Sequence, residues 1–146
     1  MSLPRPASSP TRRSSDLSKH SAGVFAEAER GQVIITRRDG ESMVLMSERE
    51  ADARAQLLKF AADLITVTLD DEGSLASRMG RKFEWMLALS QTDREQCAQD
   101  LVDAARASFS TGQPHLAIAE LTSWRETATA IAAGLVDAPV ECFDSH

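Results

Sequence analysis

The chain has 146 residues and a formal net charge of −6 at pH 7, with 42% hydrophobic, 26% charged and only 5% aromatic residues. That is room for one domain, or a small domain with a helical extension, burying roughly two thirds of the surface of the unfolded chain. The longest uncharged apolar stretch, residues 127–136, is far short of the about 20 residues a spanning helix needs, so no membrane-spanning helix is expected in these residues.

Two cysteines, Cys97 and Cys142, have neither zinc-ligand spacing nor the density of a disulfide scaffold. With no apolar run at the N-terminus, they lead us to expect a reducing, cytoplasmic setting. The first seventy residues balance to zero charge and the remainder carries the whole −6. A neutral first part can still turn a local basic face to DNA, whereas an acidic second part suits a basic protein partner or a solvated surface.

Residues 1–17 hold Pro4, Pro6, Pro10 and clustered serines with almost no apolar side chain, so disorder is expected. Pro10 to Leu17 also reads PTRRSSDL, the translation of a common sequencing-adapter end. On that reading the genuine sequence starts near Ser18, and the segment is set aside from the fold. From Ser18 to Arg30, Val24, Phe25 and Ala28 recur at helical spacing with Ala22 behind them, and Gly31 stands where a left-handed C-cap belongs. One helix is expected there, with Lys19 and His20 near its start.

The stretch Gln32 to Ser47 carries the strongest local signals. Val33 to Thr36 are β-branched, Met43 to Met46 form a second apolar run, and Asp39-Gly40 between them suits a two-residue type I′ hairpin turn. Ser47 then opens a Ser-Glu-Arg-Glu capping box worth about 1 kcal/mol. The helix it starts is expected to run from Glu48 to about Leu69, with Leu57, Leu58, Ala61, Leu64, Ile65, Thr68 and Leu69 as its stripe. The acidic, glycine-containing run Asp70 to Ser74 predicts a domain boundary.

Three further helical patterns follow. Leu75 to Leu89 gathers Phe83, Trp85, Met86, Leu87 and Leu89. Thr92 to Glu95 reads as a second capping box opening a helix with Cys97, Leu101, Ala104, Ala105 and Ser108 on one face. After Gly112 and Pro114, Ile118, Leu121, Trp124, Ala128, Ile131 and Leu135 make a last stripe, and residues 137–146 are read as a tail. These helices either fold on one another or dock a partner, with Trp85, Met86, Leu89 and Trp124 as candidate partner-binding residues.

No catalytic constellation is legible. His20, His115 and His146 have no metal-ligand spacing to one another or to the cysteines, and the seven glycines are scattered. We therefore expect no enzyme activity, no metal and no cofactor.

The pattern of a short amphipathic helix ending in Glu29-Arg30-Gly31, then VIITRRDGE, VLMS and an acidic-capped helix resembles the N-terminal domain of the Phd/YefM (prevent-host-death) antitoxins over residues 18 to about 70. The resemblance implies an α+β fold, a small Phd/YefM-type sheet with packed helices, followed here by an α-helical region over residues 75–136. It implies a homodimer formed through the sheet and first helices that binds operator DNA and represses its own operon. It also implies a second half that sequesters a cognate toxin, typically an RNase of the RelE type. Arg37, in the Thr-Arg-x-x-Gly position, matches the family's DNA-contacting arginine, and Arg38 and Lys19 are further candidates. Family members open with a short basic strand ahead of the first helix, and its absence is expected here if residues 1–17 are extraneous. The competing expectation is a stand-alone dimeric DNA-binding regulator, or an interaction module, without a toxin. A self-folding helical half would leave no exposed apolar stripe after residue 70; a toxin-binding one would.

Overall fold

Beside the central strand Val33–Thr36 (β2) lie two short strands, Thr11–Arg13 (β1) and Met43–Leu45 (β3), in the order β1-β2-β3. The computed structural model describes residues 9–135. Strand β1 runs parallel to β2 and β3 antiparallel to it. Two helices, Ser14–Lys19 (α1) and Ser21–Arg30 (α2), link β1 to β2. The chain divides into two compact units at Asp52 and Ala53.

Within the first unit, Val33 and Ile35 of β2 are buried against Val24 and Ala28 of α2, with Leu17 and Leu45 at the edges. Three expectations are corrected here. Residues 11–17 are a strand and the start of a helix, not a disordered segment. Strand pairing uses backbone groups, so TRR can occupy the open edge of β2 without a strand-like side-chain pattern; the Ile34 amide donates to the Pro10 carbonyl at 2.9 Å. Arg12 adds an ion pair with Glu27 of α2. Second, the helix expected from Ser18 is broken at His20, whose φ and ψ of −135° and 45° are not helical. Gly31, with φ of 170°, ends α2 in extended backbone instead of a left-handed cap.

Third, the hairpin does not close through a two-residue turn. Such a turn at Asp39-Gly40 would set Ile35 opposite Val44; Ile35 instead faces Met43, and Ile34 faces Val44. Neither Asp39 nor Gly40 has a positive φ, and residues 37–42 form a wider loop. The Arg37 guanidinium lies across Gly40, 2.8 Å from where a β-carbon would stand, and as the end of an exposed, flexible side chain it can move aside. A one-residue change in register reverses which face each strand side chain takes.

The helical unit is built on Glu48–Leu69 (α3), Leu75–Lys82 (α4), Gln91–Thr111 (α5) and His115–Ala132 (α6). Helix α3 spans the expected residues, and its Ser47 Oγ accepts from the Glu50 amide at 3.1 Å. Its inward positions Phe60, Leu64 and Val67 join the core of the helical unit. That places the boundary at Asp52–Ala53, ahead of the acidic run where it was expected.

The expected helix Leu75 to Leu89 is two elements: α4, capped by Ser74 Oγ at 3.1 Å from the Ser77 amide, and a 3₁₀ turn, Glu84–Ala88. Phe83, Met86 and Leu89 are all buried. Their spacing of three matches the threefold period of a 3₁₀ turn, which lets all three reach one core. Phe83 meets Phe60 edge to face at 5.7 Å. Helix α5 begins ahead of the Thr92 box, with Ser90 Oγ accepting from the Asp93 amide at 3.1 Å. Its face of Cys97, Leu101, Ala104, Ala105 and Ser108 is buried as expected, and Gly112, at φ 70°, supplies the left-handed cap. The expected tail and its Cys142 and His146 lie outside the described residues. Among the described residues no helix is long and apolar enough to cross a membrane.

Candidate nucleic-acid interface

Parallel pairing sets Arg13, the last residue of β1, beside Thr36, the last of β2. The chain then leaves β2 through Arg37 and Arg38 and leaves β1 through Ser14 and Ser15. These six residues line an open cleft of about 620 Å³ at one end of the sheet. All three arginines are exposed, so their guanidinium groups keep their hydration and remain available to a polyanion.

The acids near this end temper the field without filling the cleft. Asp16 accepts from the Arg13 backbone amide at 3.0 Å, completing the start of α1, while Asp39 and Glu41 sit on the exposed loop. The Arg37 guanidinium lies over Gly40. Three guanidinium forks with the Ser14 and Ser15 hydroxyls form a donor-rich wall suited to phosphate oxygens, while the Thr36 hydroxyl donates to the Arg12 carbonyl at 3.1 Å and ties the two strands together.

Of the residues singled out in the sequence, Arg37 and Arg38 meet here. Lys19 does not; it is exposed at the end of α1 and does not line the cleft. Arg13 joins them from the segment that the adapter reading sets aside, in which Arg12 and Arg13 look like a basic DNA-binding arm. The dibasic Arg12-Arg13 pair was its visible signal.

The candidate partner-binding residues separate in the same way. Met86 and Leu89 are 0% and 3% exposed, so they are core residues and offer no surface to a partner. Trp85 is half-buried, 6.3 Å from the Phe83 ring, with the Arg125 guanidinium 5.9 Å from its own ring. Trp124 is also half-buried, and its indole N–H donates to Asp100 Oδ2 at 3.3 Å. Both tryptophans pack against the helical core. The apolar residues that do face outward are others: Leu58, Ile65 and Leu69 on α3, then Leu87, Phe109, Leu116 and Leu135.

Cys97 is buried, and desolvation, with Asp100 and Glu120 adding to it, pushes its thiol up to about 12. It is therefore a protonated core residue and no nucleophile at neutral pH. Comparison with protein-family models, with curated proteins and with solved structures gives no match.

Proposed function

We propose that the chain is a DNA-binding antitoxin of the Phd/YefM kind, which represses its own operon as a dimer and neutralises a cognate toxin by direct binding. The observation that carries this reading is the cleft walled by Arg13, Arg37 and Arg38. It holds Arg37, the residue that the resemblance matches to a DNA-contacting arginine. The small three-stranded sheet with helices before and after its hairpin supports the reading at the level of a mixed α+β arrangement. A two-fold dimer would present two such clefts to two half-sites, so a palindromic operator follows from the symmetry.

A second reading, a stand-alone dimeric DNA-binding regulator without a toxin, is favoured by one observation. Phe83, Met86 and Leu89 are consumed by the helical unit's own core. The outward apolar residues after position 70 are dispersed over the 3₁₀ turn, α5, α6 and Leu135 among the described residues.

Co-expression with the product of the adjoining open reading frame, alongside a mobility shift on the DNA upstream, separates the readings. Growth rescue with a co-purifying complex and a shifted band supports the antitoxin. A shifted band with neither toxicity nor complex supports the regulator. Absence of both complex and shift overturns both.

A further inference from the structure

Consecutive residues of a strand point to opposite faces, and this divides the two arginines of β1. Arg12 is paired with Ile35, which is buried in the cluster that α2 covers, so Arg12 shares the α2 face. There it forms an ion pair with Glu27 of α2, the two side chains being 40% and 21% exposed. Arg13, paired with Thr36, takes the other face and lines the arginine cleft.

The bonds that hold β1 to β2 lie along one edge of a three-residue strand. The Ile34 amide donates to the Pro10 carbonyl at 2.9 Å, and the Thr36 hydroxyl donates to the Arg12 carbonyl at 3.1 Å. A strand fastened along one edge can still roll about that row of bonds. Asp16 does not prevent this: it accepts from the Arg13 amide at 3.0 Å, but it belongs to α1, which follows directly from β1 and rolls with it. Glu27 stands on α2, whose Val24 and Ala28 pack against β2. Its hold on Arg12 therefore ties β1 to a fixed element outside the plane of the sheet. Roll of the strand and the direction of Arg13 are one motion, and the tie stops both.

We infer that Glu27 is a positioning residue for DNA binding, acting through Arg12 to aim Arg13 into the cleft without touching the nucleic acid itself. The role rests on the DNA-binding reading of that cleft. It reverses the usual sign of a carboxylate beside a polyanion site. Removing an acidic side chain there ordinarily strengthens binding by relieving repulsion. Removing Glu27 weakens it, because an unaimed Arg13 must be ordered as the ligand binds. Arg12 works inward, as the link between Glu27 and the strand, and contacts no phosphate.

The full chain is tested in two ways. Nitrogen NMR relaxation of the free chain reads the order of the Arg13 backbone amide and guanidinium Nε. Fluorescence anisotropy with a DNA duplex of arbitrary sequence, over a salt series, reads the slope of log affinity against log salt. Glu27→Ala is expected to lower the order of Arg13 and to reduce the slope by about 0.9, the loss of one phosphate contact. Arg13→Ala should reduce it equally, and the two together by no more than either alone, whereas Glu27→Ala and Arg37→Ala should add. Exchanging the charges, Arg12→Glu with Glu27→Arg, should restore both order and slope. A slope kept or an affinity raised by Glu27→Ala, or losses that add between Glu27→Ala and Arg13→Ala, overturns the proposal. If the parent chain binds no duplex, the DNA-binding reading falls by itself, and the order of Arg13 decides the rest: a fall that the exchanged pair reverses upholds the aiming of Arg13 by Glu27, and an unchanged order overturns it.

Discussion

Ser108 of α5 accepts a hydrogen bond at 2.9 Å from the amide of Ala117 in the first turn of α6. The residue at the start of α6 is Pro114, which has no side-chain oxygen with which to cap. Its neighbour helix supplies the missing acceptor. Ser108 is the one buried polar side chain among the described residues, and this bond satisfies it. Ser108→Ala is accordingly expected to cost about 1–2 kcal/mol, because it leaves a buried amide without a partner. Chemical denaturation of the variant checks this, and an unchanged midpoint would mean that water replaces the hydroxyl.

The cleft arginines carry a distinct signature. Removing a side chain that neutralises one phosphate lowers the slope of log affinity against log salt by about 0.9. Arg37→Ala and Arg38→Ala should each reduce the slope by about that amount, and Arg13→Ala likewise. Lys19→Ala should leave it unchanged. Mobility shifts over a salt series on the upstream DNA decide between these outcomes, and equal slopes for all four variants would remove the cleft from the interface.

Removal of residues 1–13 strips β1 from the sheet and leaves a two-stranded hairpin, which is marginal in water. The Ile34 amide, now bonded to the Pro10 carbonyl, should lose its hydrogen-exchange protection. The amides of Leu101 and Ala105 in α5 should keep theirs. Unchanged exchange at Ile34 would show that the pairing contributes nothing to the sheet.

Cys97 makes stability depend on pH on the alkaline side. Its ordinary value of 9.0 is raised to about 12 in the folded chain, so between those values the unfolded chain has released a proton that the folded chain retains. Stability therefore falls as pH rises from about 9 towards 12, and is fully present below that window. Cys97→Ala should flatten this part of the profile relative to the parent chain. At pH 8 the native thiol should resist alkylation that modifies it readily after unfolding.

Local signals read well where one segment decides its own structure. Ser47 capping Glu50, the extent of α3 and the buried face of α5 needed only neighbours a few residues away. The hairpin loop did not follow its Asp39-Gly40 dipeptide, because the pairing of Ile35 with Met43 leaves residues 37–42 in the loop. Phe83, Met86 and Leu89 recur every three residues, a spacing that a threefold turn keeps on one side and an α-helix lets drift, and Phe83 meets Phe60 of α3. Of the cleft, Arg37 and Arg38 were visible in the sequence. Arg13 needed the pairing of β1 with β2, which is made by backbone and so unmarked by side-chain pattern. The α3 stripe is legible in the sequence as wide, and burial divides it: Leu57 and Leu64 pack on the core of the helical unit, while Leu58, Ile65 and Leu69 face outward.

The segment from Asp70 to Ser74 is acidic, glycine-containing and exposed for most of its length, the profile of a site that proteases cut. Its backbone is fastened at several points. The Arg78 guanidinium donates to the carbonyls of Val67 at 3.4 Å and Asp70 at 2.8 Å. Arg81 pairs with the Asp70 carboxylate at 2.7 Å, and that hydrogen bond, with one from the Glu72 amide, holds the Asp70 carboxyl below its ordinary value. A protease must draw several residues into an extended strand before it can cleave, and here two arginines oppose that local unfolding. Charge reversal at either arginine would open a cleavage site between α3 and α4 that the parent chain conceals.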